Sequence, residues 1–133
     1  MIGKISQHFT YREALYLPHW GRMATEEDGL TDEILIHLRG VFHSLDWIRD
    51  LVNKPILVHC AYRPAKYNRA IGGAKRSAHI QGKAVDFSVA GATPAYLRHL
   101  ILPFAEDLKL RVEANTPTWV HIDSRTPYGI FKP

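Results

Sequence analysis

The chain has 133 residues, a formal net charge of +4 at pH 7 and a single cysteine, Cys60. This length is enough to bury one hydrophobic core, so we expect one domain over residues 1–133, and a single cysteine excludes an internal disulfide. Apolar runs are too short to span a membrane, and no segment resembles a DNA-recognition helix or an aromatic RNA-reading strand, so we expect neither a membrane nor a nucleic acid as partner.

The first half of the chain carries two helix signals. Residues 10–13, Thr-Tyr-Arg-Glu, have the form of a capping box, so a short helix should follow. Thr31 is a good N-cap for a longer helix, because acidic residues occupy the first turn behind it. That helix should end near Asn53, just before Lys54-Pro55. Its apolar stripe recurs at helical spacing and belongs to the core: Ile34, Leu38, Val41, Leu45 and Ile48.

The second half alternates short strands and short helices. Pro64 should begin a helix that Gly72-Gly73 closes, and Thr93-Pro94 should open another, which Pro103 kinks or shortens. Apolar and alternating patterns predict strands over residues 56–60, 84–89, 110–114 and 119–123. The pattern indicates the α+β class: a small, mainly antiparallel sheet that carries the functional site, with helices packed on its other face.

Two of these strands place potential metal ligands on one side of the sheet. Around Asp86, small or polar residues alternate with apolar ones, so the carboxylate lies on the face opposite the core. The same alternation around His121 turns its ring away from the core. His79 precedes the first of these strands, and a tight turn at Gly82 would bring it back over Asp86.

Two imidazoles and one carboxylate suit Zn²⁺, and three protein ligands leave a fourth position open, as in catalytic zinc sites. An ion held this way keeps a net positive charge, which acidifies a bound water. The sequence therefore predicts a Zn²⁺ site formed by His79, Asp86 and His121, and the chemistry of a hydrolase.

We interpret the remaining histidines and the cysteine as structural or surface residues. A lone histidine is more often a packed or solvated residue than a ligand, and His59, inside an apolar strand, is expected to be hydrogen-bonded and half-buried. Cys60 is expected to be a small buried hydrophobe and not a nucleophile, since no basic surroundings are evident in the sequence. The other histidines interpreted as structural or surface residues are His8, His19, His37, His43 and His99.

Several spaced motifs resemble the M15 zinc peptidases, the D-Ala-D-Ala carboxypeptidases and their relatives. The motifs are Ser77-x-His79-x-x-Gly82-x-Ala84-x-Asp86 and Trp119-x-His121. An upstream run, Ala61-Tyr62-Arg63-Pro64 through Tyr67-Asn68 and Gly72-Gly73-Ala74, resembles the small subgroup common in phages and prophages. The close match covers residues 61–87 and 119–123. Hedgehog signalling domains and lysostaphin-type endopeptidases share this type of site.

The resemblance implies a zinc peptidase that cleaves peptides of bacterial peptidoglycan. Arg63 would contact substrate or stabilise developing charge, Ser77 would hydrogen-bond substrate, and Tyr62 joins them as a candidate substrate-binding residue. Which bond is cut stays open between D-Ala-D-Ala trimming, L-Ala-D-Glu cleavage and cross-bridge cleavage. A basic rim beside the motif fits an acidic wall polymer: Lys66, Arg69, Lys75, Arg76 and Lys83.

The chain departs from better-known M15 members at the position of the carboxylate that transfers protons. They often carry Glu or Asp three residues before the second histidine, where this chain has Thr118. Glu113, on the preceding strand, could reach the site through a hairpin, although a one-residue register change would turn it away. Asp123 shares the face of His121 and could act as the base or orient a ligand histidine. We favour Glu113 as the base.

Two functions of different classes therefore follow from the sequence. The first is a metallopeptidase acting on the wall, as a phage-type lysin or a tail-associated enzyme. The second is a catalytically silent, zinc-stabilised binding module, which the threonine at position 118 favours. The N-terminal residues lack the apolar core of a secretory signal, so we expect a monomer made in the cytoplasm that reaches the wall after release or within a virion.

Overall fold

The computed structural model describes residues 3–133, which form short helices and strands around one long helix. Three single 3₁₀ turns lie at Glu26–Asp28, Ala78–Gln81 and Leu102–Phe104. The helices and strands, in chain order, are α1 (Tyr11–Leu15), β1 (Tyr16–Leu17), β2 (Arg22–Met23), α2 (Asp32–Val52), β3 (Ile56–Cys60), α3 (Ala65–Ala70), β4 (Ala84–Val89), α4 (Pro94–Ile101), β5 (Arg111–Glu113), β6 (Val120–Asp123) and β7 (Gly129–Phe131).

The strands β3 to β7 form one sheet in the order β3-β4-β6-β5-β7. All neighbours are antiparallel except β5 and β7, which run parallel, so the predicted mainly antiparallel sheet is confirmed. One face packs on α2 and α4 and contributes side chains without solvent exposure, among them Val85, Phe87, Val112, Val120 and Ile122. The predicted α+β class, with helices on the face opposite the site, is correct.

Helix α2 forms as its sequence predicts. The Thr31 hydroxyl accepts a hydrogen bond from the Ile34 backbone N–H at 3.2 Å, which satisfies one free donor of the first turn. The helix ends at Asn53, which adopts a left-handed conformation with φ of 52°. The apolar stripe lies in the core, with Ile34 at its margin. Among the described residues, no helix is both long and apolar enough to cross a membrane.

Two details of the fold extend the prediction, and a third confirms it. The β1–β2 hairpin has strands of two residues, too short to show any periodicity. Strand β7 pairs with β5 through a contact distant in sequence, which local patterns do not reveal. Pro103 acts as expected, because α4 ends at Ile101 and the chain continues as a 3₁₀ turn.

Gly82 links the turn that carries His79 to strand β4. It has a φ of +72°, a conformation that costs an L-residue roughly 1–2 kcal/mol. A Cβ atom at this position would lie 2.8 Å from both the Ile34 carbonyl oxygen and the Ile34 Cγ2 atom. The absence of a side chain therefore lets the turn pack directly on α2.

We expect Gly82→Ala to lower the free energy of unfolding by about 1–3 kcal/mol, because it adds backbone strain to a clash with helix backbone. Gly40→Ala, in the middle of α2, is the matched control, since a Cβ there meets no atom within 4 Å. That change should be neutral or stabilising. Chemical denaturation of both variants measures the difference, and equal stabilities would contradict the packing argument.

Candidate metal centre

Strand pairing brings Asp86 and His121 together on the sheet face opposite the core. The two residues lie directly across from each other on β4 and β6. The His121 Nδ1 atom lies 2.8 Å from the Asp86 Oδ1 atom. His79, on the turn before β4, places its Nε2 atom 3.2 Å from the same carboxylate oxygen. The two rings therefore approach the same carboxylate oxygen, and the centroids of the His79 and His121 rings are 5.2 Å apart.

The second ring nitrogen of His79 has a fixed protein partner. Its Nδ1–H donates to the carbonyl oxygen of Ala61 at 2.6 Å. This contact assigns the proton to Nδ1 and leaves a lone pair on Nε2. Within residues 3–133, His79 Nε2 is a buried side-chain atom without a hydrogen-bond partner. A buried polar atom left in this state costs stability unless a ligand satisfies it.

His121 shows the same division between its two nitrogens. Its Nε2–H donates to the Asp123 Oδ2 atom at 2.8 Å, while Nδ1 points to Asp86. Asp123 has no solvent exposure and also accepts from the Arg111 guanidinium, through Nε at 2.6 Å and Nη2 at 3.2 Å. Metal-bound histidines commonly donate their other N–H to a carbonyl or carboxylate, as both of these rings do.

Burial and hydrogen bonding oppose each other in setting the pKa values of the cluster. Burial opposes charge on His79, but the neighbouring Asp86 carboxylate and Cys60 thiol together outweigh it, so the pKa of the ring is raised. Burial likewise opposes charge on Asp86, but hydrogen bonds from His121 and His79 lower the pKa of its carboxyl group. Two nitrogens and one oxygen are ligands that fit Zn²⁺.

Cys60 corrects an expectation from the sequence. Its thiol is half-buried and accepts a hydrogen bond from the Arg63 Nε–H at 3.0 Å, with the His79 Nδ1 atom 3.8 Å away. Burial raises the pKa of the thiol, but contact with His79 and Arg63 lowers it by a larger amount in total. The pKa of the thiol is therefore below its usual value. The expectation of a hydrophobe without basic neighbours was wrong, because the turn that brings His79 here is distant in sequence.

Cys60 also belongs to an alternative set of metal ligands. Donor atoms of Cys60, His79 and Asp86 all lie within 4.8 Å of one another. The thiol, however, lies beside His79 Nδ1, which already donates to a carbonyl, and accepts from Arg63. The unpartnered Nε2 atom instead faces Asp86, whose same oxygen is approached by His121. The geometry therefore favours His121 over Cys60 as the third ligand.

The candidate substrate-binding residues fall in different places. Arg63 lies beside the cluster, with its Nη2 atom 3.5 Å from the Asp86 Oδ2 atom. Ser77 caps the turn of His79, accepting from its backbone N–H at 3.2 Å, and lines a cleft next to the cluster. Tyr62 is 2% exposed and packs in the core, where burial raises its pKa to about 12. The structure does not bring Tyr62 to the cleft, so a substrate contact there does not fit its position.

Glu113 and Asp123 occupy the same sheet face as His121. The register pairs Arg111 with Asp123, so Glu113, two residues on, also points to that face. Glu113 lines a cleft of about 250 Å³, together with Ser77, His121 and Phe131. Among residues 3–133 its carboxylate has no hydrogen-bond or ion-pair partner.

The histidines set aside in the sequence lie away from the three ligands or have other partners. His59 forms the expected hydrogen bond, since its Nε2 atom lies 2.8 Å from the Ser88 hydroxyl oxygen. It is exposed, however, so the expectation of a half-buried residue was wrong. His37 Nδ1 lies 2.8 Å from the Gln81 carbonyl oxygen, and His8 pairs with Asp50 on the surface.

Removal of one ligand at a time distinguishes the two possible ligand sets. We expect His121→Ala to lose zinc and Cys60→Ala to keep one ion per chain after equilibration with zinc and buffer exchange. Metal analysis by mass spectrometry gives the occupancy, and circular dichroism checks that both variants fold. Full occupancy in His121→Ala with loss in Cys60→Ala would assign the site to Cys60 instead.

Comparison with known proteins places the chain in a family. No curated protein matches it. Among solved structures, it is similar to the L-Ala D-Glu endopeptidase ChiX of Serratia marcescens, with 19% sequence identity, over 71% of this chain and 87% of that chain, at a TM-score of 0.47. That likeness is too distant to support any inference about this chain. The family model for peptidase M15 matches residues 7–123. The chain therefore belongs to the peptidase M15 family.

Proposed function

We propose that the chain is a zinc-dependent peptidase that hydrolyses peptide bonds in bacterial peptidoglycan. Family membership supports the peptidase class. The observation that carries the metal is the buried, unpartnered His79 Nε2 atom, which faces the same Asp86 oxygen as His121 Nδ1. The wall as substrate follows from the resemblance to D-Ala-D-Ala carboxypeptidases and from a pI of about 9.3, which suits an acidic polymer.

His79, Asp86 and His121 would hold the ion, with Ala61 and Asp123 fixing the two rings. When bound, Zn²⁺ supplies a Lewis acid that acidifies water and polarises a carbonyl. Arg63 has a side chain that is 18% exposed and faces Asp86, and its guanidinium can donate to the oxyanion that forms from the carbonyl. Ser77 lies on the cleft and can donate its hydroxyl proton to a substrate carbonyl.

The proton shuttle is assigned to Glu113. A general base must exchange a proton with water and then with the leaving amine, so it needs an accessible carboxylate. Both residues line the cleft, but Glu113 is partly exposed, whereas Asp123 has no solvent exposure. Oxygens of Asp123 accept from His121, Arg111 and the Arg125 backbone N–H, so its lone pairs are engaged. We assign to Asp123 the alternative role that the sequence left open, the orientation of His121.

Conservative amide substitutions separate these two roles. Glu113→Gln should keep zinc and lower kcat by roughly 10²-fold or more, the scale of general acid–base catalysis. Asp123→Asn should weaken zinc affinity by about 10–100-fold, as loss of an orienting carboxylate does, with turnover per bound ion less affected. Zinc titrations and kinetics at saturating metal measure both. Near-normal turnover in Glu113→Gln with a zinc-replete, inactive Asp123→Asn would exchange the assignments.

Arg63→Lys tests the arginine. Lysine keeps the charge but not the planar fork that can bind two oxygens at once. We expect the variant to fold and bind zinc while kcat falls by roughly 10²-fold, the loss typical of one electrostatic stabiliser. Arg39→Lys, on the exposed surface of α2, is the matched control and should leave turnover unchanged. Unchanged kinetics in Arg63→Lys would make the residue structural.

A zymogram on purified peptidoglycan, with and without a chelator, tests the proposal as a whole. Lysis that the chelator removes and zinc restores is the expected result. Mass analysis of the released peptides then identifies the bond among the three types considered. Zinc binding without hydrolysis of any wall substrate would favour the silent binding module, for which Thr118 is the supporting feature. We further propose that the enzyme acts as a monomer of the phage-type subgroup, after release or within a virion.

A further inference from the structure

We propose that Asn68 is a positioning residue that holds the Arg63 guanidinium in its catalytic orientation and ties it to the loop leading to Ser77 and His79. Asn68 lies on α3, the helix that follows Arg63 in the chain. The residue is buried, with 2% of its surface exposed. This role rests on the proposed peptidase function, but it concerns a residue that touches neither the metal ligands nor the cleft.

The Arg63 guanidinium is held from three sides. Its Nε–H donates to the Cys60 thiol at 3.0 Å, its Nη1 group donates to the Asn68 Oδ1 atom at 3.4 Å, and its Nη2 group lies 3.5 Å from Asp86 Oδ2. A long side chain with several rotatable bonds stays in one geometry only if such contacts offset its lost rotamer entropy. Asn68 supplies the contact on the side away from the ligands.

The other end of the Asn68 amide fixes the neighbouring loop. Its Nδ2–H donates to the Ala74 carbonyl oxygen at 2.9 Å, and the backbone carbonyl oxygen of Asn68 accepts from the Gly73 N–H at 2.9 Å. Arg63 and Ala74 determine the orientation of the side-chain amide, because a flipped side chain would set N–H against a guanidinium and oxygen against a carbonyl. One buried amide thus connects Arg63 to the segment that ends in Ser77.

Gly73 packs directly against the side-chain amide of Asn68. A Cβ atom at position 73 would overlap the Asn68 Oδ1 atom and approach its Cγ at 2.7 Å. The φ of Gly73 is outside the left-handed region, so the requirement for glycine here is one of space and not of backbone conformation. Gly73→Ala is therefore a way to displace the Asn68 side chain without removing it.

The test uses Asn68→Ala, Gly73→Ala and the nearly isosteric Asn68→Asp, which keeps an acceptor toward Arg63 but loses the donor to the Ala74 carbonyl. In the zinc-loaded protein, the first two should each lower kcat by roughly 10-fold to 10²-fold, the cost of a misplaced catalytic group, with KM changed much less. Gly40→Ala is the control for glycine substitution and should leave kcat unchanged. Metal analysis and circular dichroism restrict the comparison to folded, zinc-replete protein.

A double-mutant cycle distinguishes positioning from a general structural effect. If Asn68 acts through Arg63, Asn68→Ala should lower kcat by less than about threefold once Arg63→Lys is present, because the two losses are not additive. Additive losses, or a fall confined to zinc affinity and thermal stability, would overturn the proposal.

A readout without turnover keeps this inference separate from the proposed function. The Nε–H resonance of Arg63, assigned by its loss in Arg63→Lys, should be protected from exchange in the parent and in Asn68→Asp. It should exchange faster in Asn68→Ala and Gly73→Ala. If the parent hydrolyses no peptide, the proposed function fails, while protection that survives Asn68→Ala would overturn the positioning role by itself.

Discussion

The approach of two buried imidazoles to a single carboxylate oxygen is the constraint on which the site depends. His79 Nε2 and His121 Nδ1 both face Asp86 Oδ1, and each ring is held from behind by a protein acceptor. Neutral rings oriented in this way present two lone pairs to a negative oxygen, which is unfavourable without a cation or protons between them. The fold must therefore stabilise this arrangement through the rest of its structure.

The sheet supplies that stability. One face of β4 and β6 is packed without solvent exposure against α2 and α4, which fixes the register of the two strands and hence the ligand pair across them. The turn with His79 is set by contact of Gly82 with α2. Burial of apolar side chains on one face thus offsets the cost of concentrated polar groups on the other.

A second layer of charged contacts surrounds the ligands. Arg111 forms two hydrogen bonds to the fully buried Asp123, which in turn orients His121. Arg63 connects Cys60, Asn68 and Asp86 on the opposite side of the cluster. Buried ion pairs of this kind contribute little net stability, because desolvation opposes their attraction, so their value here is in the orientation they impose.

Local sequence patterns determined the elements and the candidate ligand residues. Capping residues and apolar stripes gave α1, α2, α3 and α4, since short-range contacts decide those features. Strand alternation and spacing pointed to His79, Asp86 and His121, which the structure brings together. The motif also contained Asn68 and Gly73 but gave no indication of the contact between them.

Only the tertiary structure decided how the surrounding residues are used. Cys60 gains one of its two basic neighbours, His79, from a turn nineteen positions further along the chain. Glu113 and Asp123 lie on one sheet face, and the burial that separates an accessible carboxylate from an enclosed one depends on packing by segments far apart in sequence. Tyr62, adjacent to Arg63 in the chain, points into the core. Contacts between distant segments are set by the packing of the whole chain, so no local pattern could have specified them.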